Sequence, residues 1–294
     1  MQSDGLLLLR KPPHVTSFKA LGEIKRKVAP AKAGHTGTLD SFAEGLLVVL
    51  CGRMTRLAPQ VSGMDKEYCA VIAFGAETST LDPEGEIVAE GPVPDIEMIR
   101  DHLTAFLGEI VQVPPAYSAV HIGGRRAYQA ARAGEVPLLE PRPVQIYDLS
   151  VEGYSAPYLR LRVRCAKGTY IRSLARDLGR SCNSRAHVRE LVRTRVGPFN
   201  VSDAVSAEEF EPKRHLLGWR EALRALGGIA EGELRPEWER RLGAGVPLGP
   251  DSFATLTAEE GKVAVFSTDG RFLALAERSG GRFTYEFVAA DSGR

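Results

Sequence analysis

The densest group of residues with chemical potential is the segment Gly34-His35-Thr36-Gly37-Thr38-Leu39-Asp40. Its two glycines permit tight turns and a close approach of the backbone to a ligand. A phosphate-binding loop would need the Gly-x-x-x-x-Gly-Lys-Ser/Thr spacing and its lysine, which this segment lacks. Two interpretations of Asp40 remain open from the residues alone. It is either the N-cap of the following segment or a catalytic carboxylate exposed by the loop.

A second group is the basic stretch 158–196, which holds eleven Lys or Arg residues against two acidic ones. Within 159–165, Leu, Leu, Val and Cys alternate with three arginines, which predicts a strand with one apolar face and one arginine face. A Lys-Gly turn at 167–168 and apolar spacing from Ile171 to Leu178 predict an amphipathic helix that carries Arg172. We predict a second helical stretch over 187–195.

The charge of the chain is unevenly distributed, although its net value is only +1. Residues 10–66 hold ten basic and four acidic residues, whereas 77–109 hold one and nine, and 203–294 hold twelve and sixteen. Two basic blocks in a nearly neutral chain predict a polyanion footprint with salt-dependent binding. The alternative is an ordinary solvated surface over which the charges average out.

Length and composition exclude several classes of protein. With 294 residues the chain forms one large domain or two ordinary ones, and its glycine and proline contents are unremarkable. The longest apolar runs are far shorter than a membrane span, and the first residues make a poor secretory signal. The four cysteines form no CxxC pair. We therefore expect a soluble cytoplasmic protein with reduced thiols and no membrane contact.

The flanking patterns mix helices and strands without regular βαβ alternation, which favours an α+β fold. Ser17 is the predicted N-cap of a helix that buries Phe18, Leu21, Ile24 and Val28. Strands are predicted at 6–9, 68–74 and 145–151, and a helix at 96–107. Residues 112–143, rich in Pro, Gly and Arg, are predicted to form a loop with one short helix.

A domain boundary is predicted within 213–233, where the composition shifts to Leu, Arg, Ala and Gly. Beyond it, strand patterns at 262–266, 272–276 and 283–287 are separated by Asp-Gly and Gly-Gly turns. We expect a main domain over 1–228 and a small all-β module over 229–294. The alternative is that these strands extend the main sheet.

Several collinear blocks resemble the TruB family of tRNA pseudouridine synthases. The blocks are LLRKP (8–12), GHTGTLDSFAEGLLVVLCGRMTRL (34–57), DKEY (65–68), TLDPEG (80–85), PPAYSA (114–119), GRRAY (124–128), CAKGTYIR (165–172) and AHV with Leu191. The resemblance runs from about residue 7 to 200. It implies a mixed, mainly antiparallel central sheet flanked by helices, and the tail more weakly resembles a PUA module.

The resemblance implies an activity, which is the isomerisation of uridine-55 in the TΨC loop of tRNA to pseudouridine. The base is cleaved from C1′ at N1, turned and rejoined through C5, so the reaction is redox-neutral and implies neither a cofactor nor a metal. The implied partner is the TΨC stem-loop of tRNA. The shortness of the chain favours a stand-alone enzyme, expected to be a monomer that requires no protein partner.

The resemblance also assigns roles to single residues. Asp40 becomes the catalytic carboxylate, Arg172 its ion-pair partner, and Tyr68 the ring that stacks on the flipped base and takes part in the closing proton abstraction from C5. His35 is expected to fill the space that the base vacates. The remaining implied contacts with the substrate come from Lys11, Asp82, Tyr170, Ile171, Leu191, Arg125 and Arg126, the last two in an RNA-clamping insertion over 112–143.

One residue departs from the family pattern. The family usually has Pro directly after the catalytic Asp, whereas this chain has Ser41, which is expected to change the rigidity of the loop and removes no reacting group. Two other functions remain open at this point. One is a guide-RNA-dependent, dyskerin-type enzyme, and the other is an RNA-binding or RNA-folding factor without catalysis.

Overall fold

A computed structural model describes residues 4–118, 121–122, 125–126, 139–257 and 259–289, with backbone alone for the two short pairs. Its strands are β1 (Gly5–Lys11), β2 (Ala33–His35), β3 (Glu44–Cys51), β4 (Lys66–Phe74), β5 (Ala76–Thr78), β6 (Ile87–Glu90), β7 (Gly108–Gln112), β8 (His121–Ile122), β9 (Arg125–Arg126), β10 (Arg142–Ser155), β11 (Tyr158–Cys165), β12 (Ala186–Val196), β13 (Phe199–Asn200), β14 (Ile229–Leu234), β15 (Phe253–Leu256), β16 (Gly261–Phe266), β17 (Phe272–Ser279) and β18 (Arg282–Val288). The α-helices are α1 (Ser17–Val28), α2 (Ala58–Ser62), α3 (Ile96–Leu103), α4 (Ile171–Ser181), α5 (Pro212–His215), α6 (Trp219–Leu226) and α7 (Pro236–Gly243).

The central sheet has the strand order β1-β3-β12-β4-β11-β10-β7, with β2 and β13 attached at its sides. Its neighbours pair antiparallel except for a short parallel contact between β12 and β3, where Arg193 lies opposite Gly45. The predicted α+β class with a mixed, mainly antiparallel sheet is therefore confirmed. The predicted arginine strand is also confirmed, since β11 alternates strictly between exposed and buried positions.

Strands β1 and β3 are apolar on both faces because both faces are covered. Leu6 and Leu8 pack into a core shared with the C-terminal sheet, whereas Leu7 and Leu9 pack against α1. This explains the continuous apolar run of β1, which a half-exposed strand would not tolerate. Strands β4 and β11 bury one face against α3 and α4.

Strand β12 corrects the helix predicted over 187–195. It pairs with β4 along nearly its whole length, but the register shifts between Val188 and Glu190 and again between Arg193 and Arg195. Each shift inserts an extra residue, so the buried Val188 and Leu191 are spaced by three rather than two. That spacing imitates a helical repeat, which is why periodicity misassigned the segment.

Helix α1 is confirmed, but its first turn differs from the prediction. The N-cap is Thr16, whose hydroxyl accepts a hydrogen bond from the Lys19 N–H at 3.2 Å. Ser17 is instead buried. Phe18, which was expected in the core, is 74% exposed, because the buried face consists of smaller side chains from Ala20 to Val28.

Strands β14 to β18 form a separate five-stranded sheet rather than an extension of the central one. The sheet is accompanied by helix α7, so the C-terminal part is not purely β as expected. It packs tightly on the rest of the chain, where Trp219 stacks on Phe272 with ring centroids 3.9 Å apart. The division into 1–228 and 229–294 and the likeness to a PUA module stay predictions. Within the described ranges no helix is long and apolar enough to span a membrane.

Candidate active site

The loop that carries Asp40 lies between β2 and β3 and is fixed by side chains from other segments. The Ser17 hydroxyl donates to the carbonyl of Leu39 and accepts from its N–H, both at 2.9 Å. The Thr36 hydroxyl and N–H both donate to the carbonyl of Val48. These hydrogen bonds fix the backbone at Thr36 and Leu39, just before Asp40. They therefore limit where the Asp40 carboxylate can lie.

Lys11 is fully buried beneath this loop. Its ammonium donates to the carbonyls of Pro12, Val15 and Ser41 at 2.9, 2.6 and 3.2 Å. Three acceptors use all three N–H groups, so the side chain has no donor left for a substrate. The structure therefore does not support the expected substrate contact, and the role we propose for Lys11 is to position the loop. Burial lowers the pKa of Lys11 to about 8, an effect that the nearby Asp40 carboxylate opposes.

Arg172 meets Asp40 through two nitrogens. Its Nη2 donates to Oδ1 at 2.9 Å, and its Nε lies 2.9 Å from Oδ2. Position 172 falls in the first turn of α4, and the guanidinium is almost fully buried while the Asp40 side chain stays 37% exposed. Burial raises the pKa of the Asp40 carboxyl above its ordinary value, and the Arg172 cation opposes that rise. The Asp40 carboxylate is therefore partly exposed to solvent, while the Arg172 cation that holds it is buried.

Asp82 lies on the far side of the same guanidinium. Arg172 Nη1 donates to its Oδ2 at 3.2 Å and to the carbonyl of Thr80 at 2.8 Å. The Asp82 Oδ1 accepts from the Thr80 hydroxyl and from the Glu84 N–H. The turn needs glycine at position 85, where a Cβ would lie 2.5 Å from the Thr80 hydroxyl oxygen. Asp82 is 4% exposed, so it orients Arg172 rather than offering a charge to solvent.

A cavity of about 290 Å³ opens above Asp40. Its walls include Tyr68 from β4, Leu191 from β12, and Tyr170 and Ile171 at the start of α4. The structure thus brings together residues that are far apart in the sequence, because β12 lies between β3 and β4 in the sheet. Burial raises the pKa of the Tyr68 phenol, which keeps the ring neutral at pH 7.

A second hollow, of about 470 Å³, adjoins this cavity across the Asp40–Arg172 pair. His35 lies on its wall, and burial lowers the pKa of the imidazole, helped by the charges of Arg193 and Lys25. The ring is therefore neutral at pH 7, and it is free to stack or to fill space without the cost of burying a charge.

Arg193 is the site residue whose position the sequence reasoning missed. The helix predicted over 187–195 would put it on a basic surface, yet it is 2% exposed. Its guanidinium donates to the carbonyls of Leu46 and Gly37 at 2.7 and 3.0 Å. Strand β12 comes close enough because residue 45 is glycine with φ +114°, where a Cβ would lie 2.4 Å from the Arg193 carbonyl oxygen. In the sequence, the signal for this close approach of the two strands was Gly45, a glycine near the start of an apolar strand.

The second basic block does not form one surface. Arg172 and Arg193 are buried within the site, whereas Arg162 of β11 forms an ion pair with Glu152. Val163 is paired with Tyr68 and shares its face of the sheet, so the arginines of β11 lie on the opposite face from the cavity. The side chains of Arg125 and Arg126, expected to clamp RNA, lie outside the described residues.

Comparisons with known proteins match two consecutive segments of the chain. Residues 25–171 match the TruB family pseudouridylate synthase (N terminal domain), and residues 172–226 match the tRNA pseudouridylate synthase B C-terminal domain. Among similar curated proteins, the tRNA pseudouridine synthase B of Aromatoleum aromaticum is 42% identical over 94% of this chain and 89% of its own length. Those of Borreliella burgdorferi and Bordetella parapertussis are 45% and 43% identical over 70% and 79% of this chain, and over 74% and 95% of their own lengths.

Solved structures agree with the fold. A chain in the crystal structure of a Cbf5–Nop10–Gar1 complex matches 97% of this chain and 84% of its own length with a TM-score of 0.70 and 25% identity. A chain of an H/ACA RNP bound to a substrate RNA that contains 2′-deoxyuridine matches 99% of this chain and 86% of its own length with a TM-score of 0.71 and 22% identity, which supports the fold alone. On the strength of the sequence matches and relatives, the chain belongs to the TruB family of pseudouridylate synthases.

Proposed function

We propose that this chain isomerises uridine-55 in the TΨC loop of tRNA to pseudouridine, and that it does so as a monomer without guide RNA or a protein partner. The observation that carries the proposal is the Asp40 carboxylate, part-exposed on the floor of a nucleotide-sized cavity and joined to the buried cation of Arg172. The 42–46% identity to proteins named tRNA pseudouridine synthase B supports tRNA as the substrate. A cytoplasmic location accompanies this substrate and the four unpaired cysteines.

The reaction breaks the N1–C1′ bond, forms a C5–C1′ bond, and replaces the hydrogen on C5 with one on N1. No electrons leave the substrate, and the carboxylate of Asp40 is the reacting group on the protein. Attack on the base, attack on C1′ and removal of a sugar proton all require this carboxylate to be ionised. Arg172 meets that requirement, since it opposes the rise in pKa that burial alone would cause.

In this proposal Tyr68 contacts the flipped uracil, and His35 occupies the space that the uracil leaves. Tyr68 is a neutral ring on the cavity wall, which suits stacking on uracil. Removal of the C5 proton by a neutral phenol also requires the phenol to pass on its own proton, and we therefore assign stacking as the main role of Tyr68 in this proposal. Extruding a base costs a few kcal/mol, and a neutral His35 on the wall of the adjoining hollow offsets part of that cost by occupying the vacated stack.

The other residues of the site shape the cavity or hold Asp40 and Arg172 in place. Ile171 and Leu191 give the cavity apolar walls, which keep water from the reacting atoms. Lys11, Ser17 and Arg193 hold the loop of Asp40 from three directions through backbone groups. Asp82 holds Arg172. In this arrangement nearly every polar contact fixes the carboxylate rather than the substrate.

The test uses purified protein and an unmodified tRNA transcript, with no guide RNA added. Pseudouridine is mapped by chemical adduct and primer extension for the wild type, for Asp40→Asn, and for Asp101→Asn, an exposed aspartate on α3 that serves as the matched control. We expect one modified site in the TΨC loop for the wild type and the control, and none for Asp40→Asn. Tight binding of tRNA without pseudouridine from the wild type would refute the stand-alone reaction and favour a guide-dependent enzyme or a non-catalytic RNA-binding factor.

A further inference from the structure

The most exposed large hydrophobic side chain in the described part of the protein is Phe18, at 74%. It lies in the first turn of α1, whose apolar face is already satisfied by Leu21, Ile24 and Val28. The ring therefore contributes little to the core. An isolated exposed apolar residue needs no explanation by itself, so its surroundings decide whether it has a function.

Those surroundings are the catalytic site. Phe18 lines the second hollow, whose other walls include Asp40, Arg172 and His35. The hollow and the catalytic cavity share Asp40 and Arg172 as a common wall. A nucleotide attached to a uridine in the cavity thus passes within reach of this ring.

The outer face of α1 carries unneutralised positive charge beside the ring. The Lys25 ammonium lies 5.0 Å from the Phe18 ring centroid, and neither Lys19 nor Lys25 has a carboxylate partner among the residues that the structure describes. By contrast, Lys27 donates to three backbone carbonyls and pairs with Glu23. An aromatic face flanked by lysines matches the two parts of a nucleotide, which are a planar base and a phosphate.

The charge on the lining of the hollow indicates which part of the nucleotide enters it. Glu84 is exposed and lines the hollow, and its charge disfavours a phosphate there, whereas the charge of Asp82 is buried and paired with Arg172. The base therefore fits into the hollow against Phe18, while the phosphates remain on the lysine side. A base against Phe18 would be a different nucleotide from the target uridine, which Tyr68 contacts, and would lie outside the stack that His35 fills.

We propose that Phe18 is a stacking platform for an unpaired base of the substrate RNA next to the target uridine, with Lys19 and Lys25 contacting the adjoining phosphates. The inference rests on the proposed function, because it takes a folded RNA as the substrate. It makes the outer face of α1 a part of the RNA interface.

The first experiment compares Phe18→Ala, Phe18→Leu and Phe18→Tyr in the full chain, with Ile87→Ala, a 60% exposed residue on β6, as the matched control. We expect kcat/KM for tRNA to fall roughly 10-fold for Ala and Leu, as for the loss of one base stack, and to stay within about 2-fold for Tyr and for the control. Urea midpoints should be unchanged, since the ring is exposed. A Leu variant as active as the wild type would overturn stacking, because Leu keeps the apolar contact but not the ring.

The second experiment observes the stack directly and does not depend on turnover. Phe18→Trp is combined with Asp40→Asn, and its fluorescence is titrated with unmodified tRNA against Asp40→Asn alone. We expect additional quenching from residue 18 on binding, and its absence would refute the proposal. If the wild type forms no pseudouridine while Phe18→Ala still weakens tRNA binding, the proposed function fails and this surface stands. If the wild type is active and Phe18→Ala is equally active, this inference alone fails.

Discussion

Replacing Arg172 with methionine should damage both stability and catalysis, because one guanidinium joins the two carboxylates of the site. It contacts Asp40 at 2.9 Å and Asp82 at 3.2 Å, and it donates to the carbonyls of Thr80 and Tyr117 at 2.8 and 2.9 Å. Methionine keeps most of the volume of the side chain and supplies none of these donors.

The cost to stability follows from the burial of each partner. Removing one member of a buried ion pair typically costs about 3–5 kcal/mol, since the other charge is left uncompensated. Asp82, at 4% exposure, falls in that class. Asp40 is far more exposed and contributes at most about 1 kcal/mol after solvent screening. We therefore expect a loss of about 4 kcal/mol, of which Asp82→Asn in the methionine background restores about 1–2 kcal/mol by removing the unpaired charge.

The effect on catalysis has a separate cause. Without the Arg172 cation, burial raises the pKa of the Asp40 carboxyl with only the weaker effect of the Lys11 ammonium against it, so a smaller fraction is ionised at neutral pH. The carboxylate also loses the two contacts that aim it. We expect single-turnover pseudouridine formation to fall by at least about 10²-fold. The activity of Arg172→Met should recover partially as the pH is raised, whereas that of the wild type should not.

The assays are urea unfolding at pH 7 and single-turnover kinetics on saturating tRNA. The matched control is Arg162→Met, which removes a 49% exposed arginine paired with Glu152 on the outer face of the sheet. That change should leave the urea midpoint and the rate nearly unaltered, because an exposed ion pair contributes little to stability. If Arg172→Met unfolded at the same urea concentration as the control, the claim that this cation unites the site would be wrong.

Four further outcomes are expected. Tyr68→Phe should lower the single-turnover rate by less than about 10-fold if stacking is its main role, since the ring is retained, and a loss of about 10²-fold or more would instead assign the proton transfer to its hydroxyl. The rate should fall as the pH rises through about 8, where the buried Lys11 loses the proton that holds the loop, and a flat profile up to pH 9.5 would contradict this. Arg193→Lys should reduce kcat in steady-state kinetics, because one ammonium cannot span the carbonyls of Leu46 and Gly37 and the loop loosens. Ser41→Pro should raise the free energy of unfolding by about 0.4–1 kcal/mol with activity retained, because the Ser41 N–H donates no hydrogen bond within the described residues and the φ of Ser41 is not positive. A loss of stability in urea unfolding would show that the backbone at position 41 does not accept proline.

The fold class could be predicted because the local patterns are simple where one face of an element is exposed. Strand β11 alternates strictly, and its sequence shows it. Strand β12 lies between two neighbours and contains two register shifts, so its pattern has no single period. The helix predicted there was wrong because irregularities of pairing depend on the partner strand, which is not visible in a local window.

The site could be predicted from the resemblance but not from periodicity. Asp40, Tyr68 and Arg172 come from a loop, a strand and a helix, and they line one cavity only in the folded chain, where β12 is inserted between β3 and β4. No spacing in the sequence encodes that insertion. Arg193 was placed on a surface for a related reason, since a basic residue in a sequence suggests solvent or phosphate, whereas Arg193 and Lys11 both donate to backbone carbonyls.

The same reasoning changes how the charge surplus of the chain should be understood. The 158–196 block has the larger surplus, yet Arg172 and Arg193 are buried in the site and the β11 arginines face away from the cavity. The two buried cations assemble the site from distant segments, whereas Lys167 of the same block is exposed and lines the cavity. The smaller surplus in 10–66 includes Lys19 and Lys25, which have no carboxylate partner in the described structure, and the Lys25 ammonium lies over the ring of Phe18, which lines the second hollow. The salt dependence of RNA binding should therefore respond to Lys25→Ala and not to Arg162→Ala, although the sequence alone ranks the two blocks the other way.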